Sequence, residues 1–249
     1  MITVSDVSKS YLGRAVLDRV SLRVSSETTH VLLGSSGSGK STLLRILLGL
    51  ESPDSGHVEI DGQTAVVGDR ERLRRVGYVP QEGGLFPHMT ALDNVTLVAR
   101  VERWPKEKIR SRVDELRLVV GLDPELLARF PKELSGGQSQ RVAMMRAAFL
   151  DPSVMILDEP LGALDPIIRS DLQEELKVLF VRLRKTVVLV THDLGEAAFF
   201  GDAITLLHEG RVVQTGTLRD LMTRPASPFV TQFIRAERTV AIETEGLAR

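Results

Sequence analysis

Apolar and polar residues alternate through the first thirty positions: Ile2, Val4 and Val7, then Val16, Val20, Leu22 and Val24. A period near two predicts half-buried antiparallel strands. Val31-Leu32-Leu33 is an unbroken apolar run, and Thr42-Leu43-Leu44-Arg45-Ile46-Leu47-Leu48 after the next glycines suits a helix. Ser52-Pro53-Asp54-Ser55-Gly56 reads as a turn, Val58-Glu59-Ile60 as a short strand and Asp61-Gly62 as a second turn. Residues 69–75 are charged, and Val76-Gly77-Tyr78-Val79 is a buried strand running out into Pro80-Gln81.

From Leu85 the period lengthens. Leu92, Val95 and Val98, then Ile109, Val113, Leu116 and Val120 behind Pro105, predict helices inserted in an α/β frame. Gly121-Leu122-Asp123-Pro124 closes one helix and opens another. Val142, Met145 and Phe149 mark a further helix, and Val154 to Leu157 a central parallel strand. Asp165-Pro166 starts a long helix with Ile168, Leu172, Leu176, Leu179 and Leu183 on one stripe, followed by the strand Val187 to Val190. Residues 203–207 and 211–215 form a hairpin about Glu209-Gly210. From Thr217 the chain is helical and polar, with a break at Arg224-Pro225 and a periodicity that fades after Arg235.

Composition narrows the class. With 249 residues, 43% hydrophobic and 26% charged, this reads as an ordinary soluble globular protein. A formal net charge of −1 argues against a generic nucleic-acid binder. Residues 100–133 hold nine Lys/Arg and seven Asp/Glu, a mixed solvated face and not a phosphate track. No cysteine is present, which excludes disulfides and thiolate metal sites. No apolar run reaches the roughly 18 residues a bilayer demands, and the N-terminus carries no secretory signal pattern.

The chemistry gathers at strand exits. Gly34-Ser35-Ser36-Gly37-Ser38-Gly39-Lys40-Ser41 reads G-x-x-x-x-G-K-S between a strand and a helix, the context a phosphate cradle needs. Its glycines let backbone N–H groups approach an anion, Lys40 adds a point charge, and Ser41 can hold Mg²⁺. Asp158 and Glu159 end the strand that starts at Val154. Adjacent acids there suit a Mg²⁺ ligand and a general base for water attacking a γ-phosphate. His192 follows another strand, placed for a γ-phosphate contact. Ser135-Gly136-Gly137-Gln138 leads into a helix and is either a simple N-cap or a second anion-ready helix start. Tyr11 is either a base-stacking ring or an ordinary strand tyrosine, and Gln81 takes its meaning from its surroundings.

Together these motifs resemble the ATP-binding subunit of an ATP-binding-cassette (ABC) transporter over nearly the whole chain. The Walker A motif is Gly34 to Thr42, Walker B is Val154 to Glu159, and the signature LSGGQ is Leu134 to Gln138. Tyr11 matches the aromatic A-loop, Gln81 the Q-loop, Ala163-Leu164-Asp165 the D-loop and His192 the switch histidine. The resemblance implies an α/β P-loop NTPase (RecA-like) core with an N-terminal antiparallel β subdomain, over residues 1–84 and 153–222. It places a helical subdomain at 85–152 and a helical tail at 223–249.

ATP and Mg²⁺ are the implied ligands. Tyr11, Gly34 to Thr42 and Ser135 to Gln138 would bind nucleotide, Ser41, Gln81 and Asp158 would bind metal, and Lys40, Gln81, Glu159 and His192 would act in catalysis. The implied assembly is a head-to-tail dimer sandwiching ATP, docked through a groove beside Gln81 onto membrane permease subunits at the cytoplasmic face of the inner membrane. A separate substrate-binding protein acts indirectly, and no nucleic acid takes part.

Arg129-Phe130-Pro131-Lys132-Glu133 and Leu85-Phe86-Pro87-His88-Met89-Thr90 resemble bacterial importers that use a separate binding protein. Gly162 to Pro166, Asp193 to Ala197 and Thr223-Arg224-Pro225-Ala226 are similar to cassettes of glycine betaine and other quaternary-amine uptake systems, which implies a cargo such as glycine betaine, choline or proline. Gln81-Glu82-Gly83-Gly84 is closer to iron and polyamine importers, with amino acids a further cargo class, and position 139 is Ser where Gln is frequent. The chain ends short of a CBS pair or a TOBE barrel, which weighs against iron, polyamine, sugar and sulfate. A soluble ABC ATPase acting on nucleic acid or ribosomes is the alternative of another class. One cassette with no long coiled coil speaks against it.

Overall fold

The alternation at the N-terminus becomes β1 (Ile2–Tyr11) and β2 (Arg14–Val24), paired antiparallel with Ile2 opposite Val24, Val4 opposite Leu22 and Val7 opposite Val20. All six side chains are buried on one face. The step from Val4 to Val7 is three residues, and the register shifts there; Asp6 (φ 48°) and Arg19 (φ 48°) take left-handed backbone, so bulges restore the apolar face after the slip. This computed structural model describes residues 1–81, 83–162 and 166–246, without the side chains of 70, 72, 73, 166–168 and 238–246. The segment Ala163-Leu164-Asp165 and the Ile168 side chain of the expected stripe therefore lie outside the described residues.

The chain divides into two compact units, Met1–Asp69 with Val188–Arg249, and Arg70–Val187. In the first, β3 (Thr29–Leu33) is buried throughout and delivers the glycine loop to α1 (Lys40–Leu47), six of whose eight residues are buried. β4 (Ser55–Ile60) pairs with β1, and β5 (Gln63–Thr64) with β4, both antiparallel; Asp61 and Gly62 make the turn between them.

The second unit opens with α2 (Arg70–Arg75), a helix in the charged stretch for which periodicity offered no signal. β6 (Val76–Val79) follows. α3 (Ala91–Val101) is capped by Thr90, whose hydroxyl accepts from the Asp93 N–H at 3.1 Å. Asn94, fully buried, donates to the carbonyls of Phe86, Met89 and Thr90 and accepts from the Phe86 N–H, which ties down the loop leading into that helix. α4 (Lys106–Val119) starts behind Pro105, at the N-cap, one position before the expected first turn. Gly121 (φ 61°) ends it, and Pro124–Ala128 is a short 3₁₀ helix. α5 (Gly136–Ala148) buries Val142 and Met145, and Phe149 at its C-cap. β7 (Val154–Asp158) runs parallel to β6. α6 (Pro166–Leu183) buries Leu172, Leu176 and Leu179.

β8 (Thr186–Thr191), buried along its length, carries the chain back to the first unit. α7 (Leu194–Phe200) leads to β9 (Ala203–His208), parallel to β3, and β10 (Arg211–Gly216), antiparallel to β9. α8 (Leu218–Thr223) and α9 (Pro228–Gly246) complete the chain. α9 runs on past Arg235, where periodicity faded: helical backbone persists although the apolar stripe does not.

Candidate functional site

The cradle in the first unit is built from backbone. Gly37 (φ 78°) and Gly39 (φ 103°) adopt conformations that side-chain-bearing residues resist. Gly34 is excluded from change by space: a Cβ there would lie 2.3 Å from the Leu207 carbonyl oxygen. At Gly39 it would meet Val16 O and a Leu17 methyl, each at 2.8 Å. The turn between β9 and β10 braces the loop, since the Gly210 N–H donates to Ser38 O at 3.0 Å and Gly210 O accepts from the Asp18 N–H at 2.9 Å. Ser35 and Ser36 are exposed on the loop, and Ser41 is exposed on the first turn of α1 beside the buried Thr42.

Three observations fit this cradle to an anion. No acidic residue occupies the first turn of α1, where Asp and Glu are otherwise favoured, so the positive helix end is left to an external charge. Lys40, 6% exposed, folds its ammonium back onto the carbonyls of Gly34 (2.6 Å) and Ser35 (2.9 Å). The Ser38 hydroxyl, 3% exposed, has no hydrogen-bond partner among the described residues, and a phosphate oxygen would accept from it.

Tyr11 ends β1 with its ring partly exposed and its hydroxyl donating to Glu51 at 2.5 Å. His192, exposed, stands immediately after β8. The next residue, Asp193, caps α7 by accepting from the N–H groups of Gly195 and Glu196. Glu237 of α9 has its carboxyl pKa raised, first by burial, with His192 pulling it back and Asp193 adding to the rise.

In the second unit the parallel register makes the site. Val79 lies opposite Leu157, so Gln81 and Glu159, each two residues further on, leave at the same edge. Gln81 Nε2 donates to Glu159 Oε2 at 3.0 Å. Asp158 closes β7 half-buried, and Glu159 takes φ 44°, a left-handed conformation worth about 1–3 kcal/mol of strain for a side-chain-bearing residue. Arg146, from the last turn of α5, donates to Gly83 O (2.8 Å) and Gly84 O (2.7 Å), pinning the loop that carries Gln81. Sequence reasoning missed this arginine because its partners are carbonyls, which leave no trace in residue identity.

At the other end of α5, the Ser135 hydroxyl accepts from the Gln138 N–H (3.3 Å), and the Ser135 N–H donates to Gln138 Oε1 (2.9 Å). The serine is an N-cap, and Ser135 and Gly136 stay exposed at a helix start with no acid in its first turn. Among the described residues no group of three His, Asp or Glu could hold a metal by itself. Mg²⁺ commonly takes only one or two protein ligands, the rest coming from water and phosphate.

A family model described as ABC transporter matches residues 17–162. The choline transport ATP-binding protein OpuBA of Bacillus subtilis (strain 168) is 41% identical over 251 residues, covering 100% of this chain and 66% of its own. The sulfate/thiosulfate import ATP-binding protein CysA of Nocardia farcinica (strain IFM 10152) is 46% identical over 234 residues, 94% of this chain and 70% of its own. The chain spans slightly under two thirds of the length of OpuBA. Among solved structures, a dimeric post-hydrolysis state of the ATP-binding cassette MJ0796 bound to ADP and Pi matches with a TM-score of 0.78 at 35% identity, over 88% of this chain and 99% of that one. The expected α/β P-loop fold with an N-terminal antiparallel sheet is that of these cassettes.

Proposed function

The chain belongs to the ABC transporter family, and from that premise we propose that it is the ATP-hydrolysing subunit of an importer. The observation that supports this reading most is the Glu159 carboxylate at the end of β7, beside Asp158 and held by the Gln81 amide. A general base must be oriented before it can polarise water, and Gln81 donates to the carboxylate without taking its charge. Lys40 and the N–H groups of Gly37 to Thr42 grip the outer phosphates, Ser38 supplies a free hydroxyl, and Tyr11 stacks on the base. His192 contacts the γ-phosphate. Ser41 of the first unit and, separately, Asp158 and Gln81 of the second are the residues the proposal assigns to Mg²⁺, which when bound would neutralise charge on phosphate oxygens.

Ser135 to Gln138 point a second positive helix end at solvent, with the Ser135 hydroxyl and the Gly136 backbone accessible to an anion. The reading assigns that anion to ATP held by another copy, so that two chains enclose two nucleotides head to tail. The dimeric cassette relative is in keeping with this.

The membrane partner docks in a groove of about 420 Å³ on the second unit, lined by Tyr78, Pro80, Phe86, Leu97, Val98 and Arg146 among others. Phe86 and Val98 remain 43% and 41% exposed there, a surface suited to a short apolar helix. No helix among the described residues is long and apolar enough to cross a membrane; the proposal gives the pore to the permease partner and places this chain at the cytoplasmic face.

For the cargo, the names of relatives favour an osmoprotectant of the choline and glycine betaine class. The sulfate reading keeps its place, because a sulfate/thiosulfate relative is 46% identical; chain length is no argument against it. Vesicles reconstituted with this chain, the cognate permease and its binding protein decide the matter. Choline or glycine betaine should stimulate ATP hydrolysis and sulfate should not; the reverse would transfer the protein to the sulfate group. Hydrolysis stimulated by nucleic acid with no permease present would overturn the transport reading.

A further inference from the structure

Around Tyr11 the first unit carries a polar cluster that the phosphate site does not need. The Tyr11 hydroxyl donates to Glu51 Oε2 at 2.5 Å across 40 positions of sequence. Lys9 holds Glu51 in turn: its ammonium lies 3.3 Å from Glu51 Oε1, 3.2 Å from Asp54 Oδ1 and 2.8 Å from the Ser52 carbonyl, and 5.6 Å from the centroid of the Tyr11 ring. Asp54 accepts from the Ser10 N–H at 2.7 Å, which fixes the end of β1 itself. The Lys9 and Glu51 side chains are only 15% and 21% exposed, so this cluster is more sheltered than an ordinary surface pair. Tyr11 is 38% exposed, and the turn beyond it opens with Leu12 fully exposed. The ring is therefore offered to a ligand while its hydroxyl is fastened.

From this arrangement we infer that Glu51 is a positioning residue for nucleotide, clamping the Tyr11 ring in one rotamer as a ready platform for the base, with Lys9 as the brace behind it. The inference rests on the proposed reading of Tyr11 as the base-stacking residue. An aromatic side chain at a strand end samples several rotamers, and ordering it on binding weakens affinity by a few-fold to about tenfold. The clamp removes that loss before ATP arrives. The bond also favours the neutral phenol and the ionised carboxylate: it is the first cause of the raised Tyr11 pKa and of the lowered Glu51 pKa, and Thr42 on α1 opposes the Tyr11 rise.

The test compares the Kd of ATP with that of inorganic tripolyphosphate, which has no base, by titration calorimetry on the full chain. Tyr11→Phe keeps the ring and removes the tether; Glu51→Ala removes the acceptor. Each should weaken ATP about three- to tenfold, leave tripolyphosphate unchanged, and add nothing in the double variant. Tyr11→Phe, at an exposed ring, keeps the test open should Glu51→Ala not fold. If Tyr11→Ala weakens ATP while Tyr11→Phe and Glu51→Ala do not, the ring stacks and the clamp is wrong. If Glu51→Ala weakens ATP and tripolyphosphate alike, Glu51 is structural and the inference also fails. If Tyr11→Ala binds ATP as tightly as the wild type, the base-stacking reading itself falls.

Discussion

The two units solve the problem of handling a phosphate in different materials. In the first, Gly34 to Thr42 form a site of backbone N–H groups, held by close packing of Gly34 on Leu207 and Gly39 on Val16. In the second, the Gln81–Glu159 pair and the Arg146 pin are side-chain contacts, each resting on one or two hydrogen bonds. A backbone site tolerates changes of exposed side chains and fails when a glycine gains a Cβ. A side-chain site fails on the exchange of a single oxygen for nitrogen. On the proposed reading the phosphate grip is of the first kind and the general base of the second, so ATP affinity and turnover should separate under mutation.

The sharpest separation is Glu159→Gln. Turnover should fall by roughly 10²–10⁴-fold with ATP affinity retained, measured by phosphate release and calorimetry. Comparable loss of binding would erase the contrast. Lys40→Ala attacks the other side and should weaken ATP by about 10- to 100-fold, the worth of a hydrogen bond to a charged group. Smaller is Arg146→Ala: freeing the Gly83-Gly84 loop loosens Gln81, and kcat should drop several-fold at nearly constant KM. A rise in KM with kcat intact would place the arginine in the cradle's business instead.

The smallest effect concerns a buried histidine in the strand that leads to the cradle. His30 in β3 is 2% exposed, with Nε2 2.8 Å from Thr205 Oγ1, which lies 2.8 Å from Thr215 Oγ1. Burial pushes its pKa down to about 4. Its ordinary value is about 6.5, so between those limits the unfolded chain binds the extra proton. The stability this histidine contributes is complete above pH 6.5 and is lost as pH falls toward 4, on the order of 1–3 kcal/mol. Urea unfolding at pH 7 and pH 5 should show the decline, and His30→Gln should flatten it.

The same division governs what the sequence could disclose. The cradle was legible because backbone sites need glycine at fixed offsets, and the strand carrying Asp158 and Glu159 was legible because acids at the end of an apolar run stand out. The strands β1 and β2 followed from alternation, though the slips at Asp6 and Arg19 did not, since a bulge depends on pairing with the opposite strand. The α2 helix was hidden in a charged stretch with no stripe to read. The Gln81–Glu159 bond depends on the register of β6 against β7, and the Tyr11–Glu51 and Arg146 contacts on neighbours 40 or more positions away; none has a local signature.

On the proposed reading, one chain's cradle and another's Ser135-led helix close on the same ATP. Light scattering of Glu159→Gln protein with and without Mg-ATP tests it most directly. The protein should be a monomer without nucleotide and a dimer with it, and should form no dimer when Gly136→Asp puts a negative charge at the start of α5. A monomer that binds ATP at full affinity would contradict that reading.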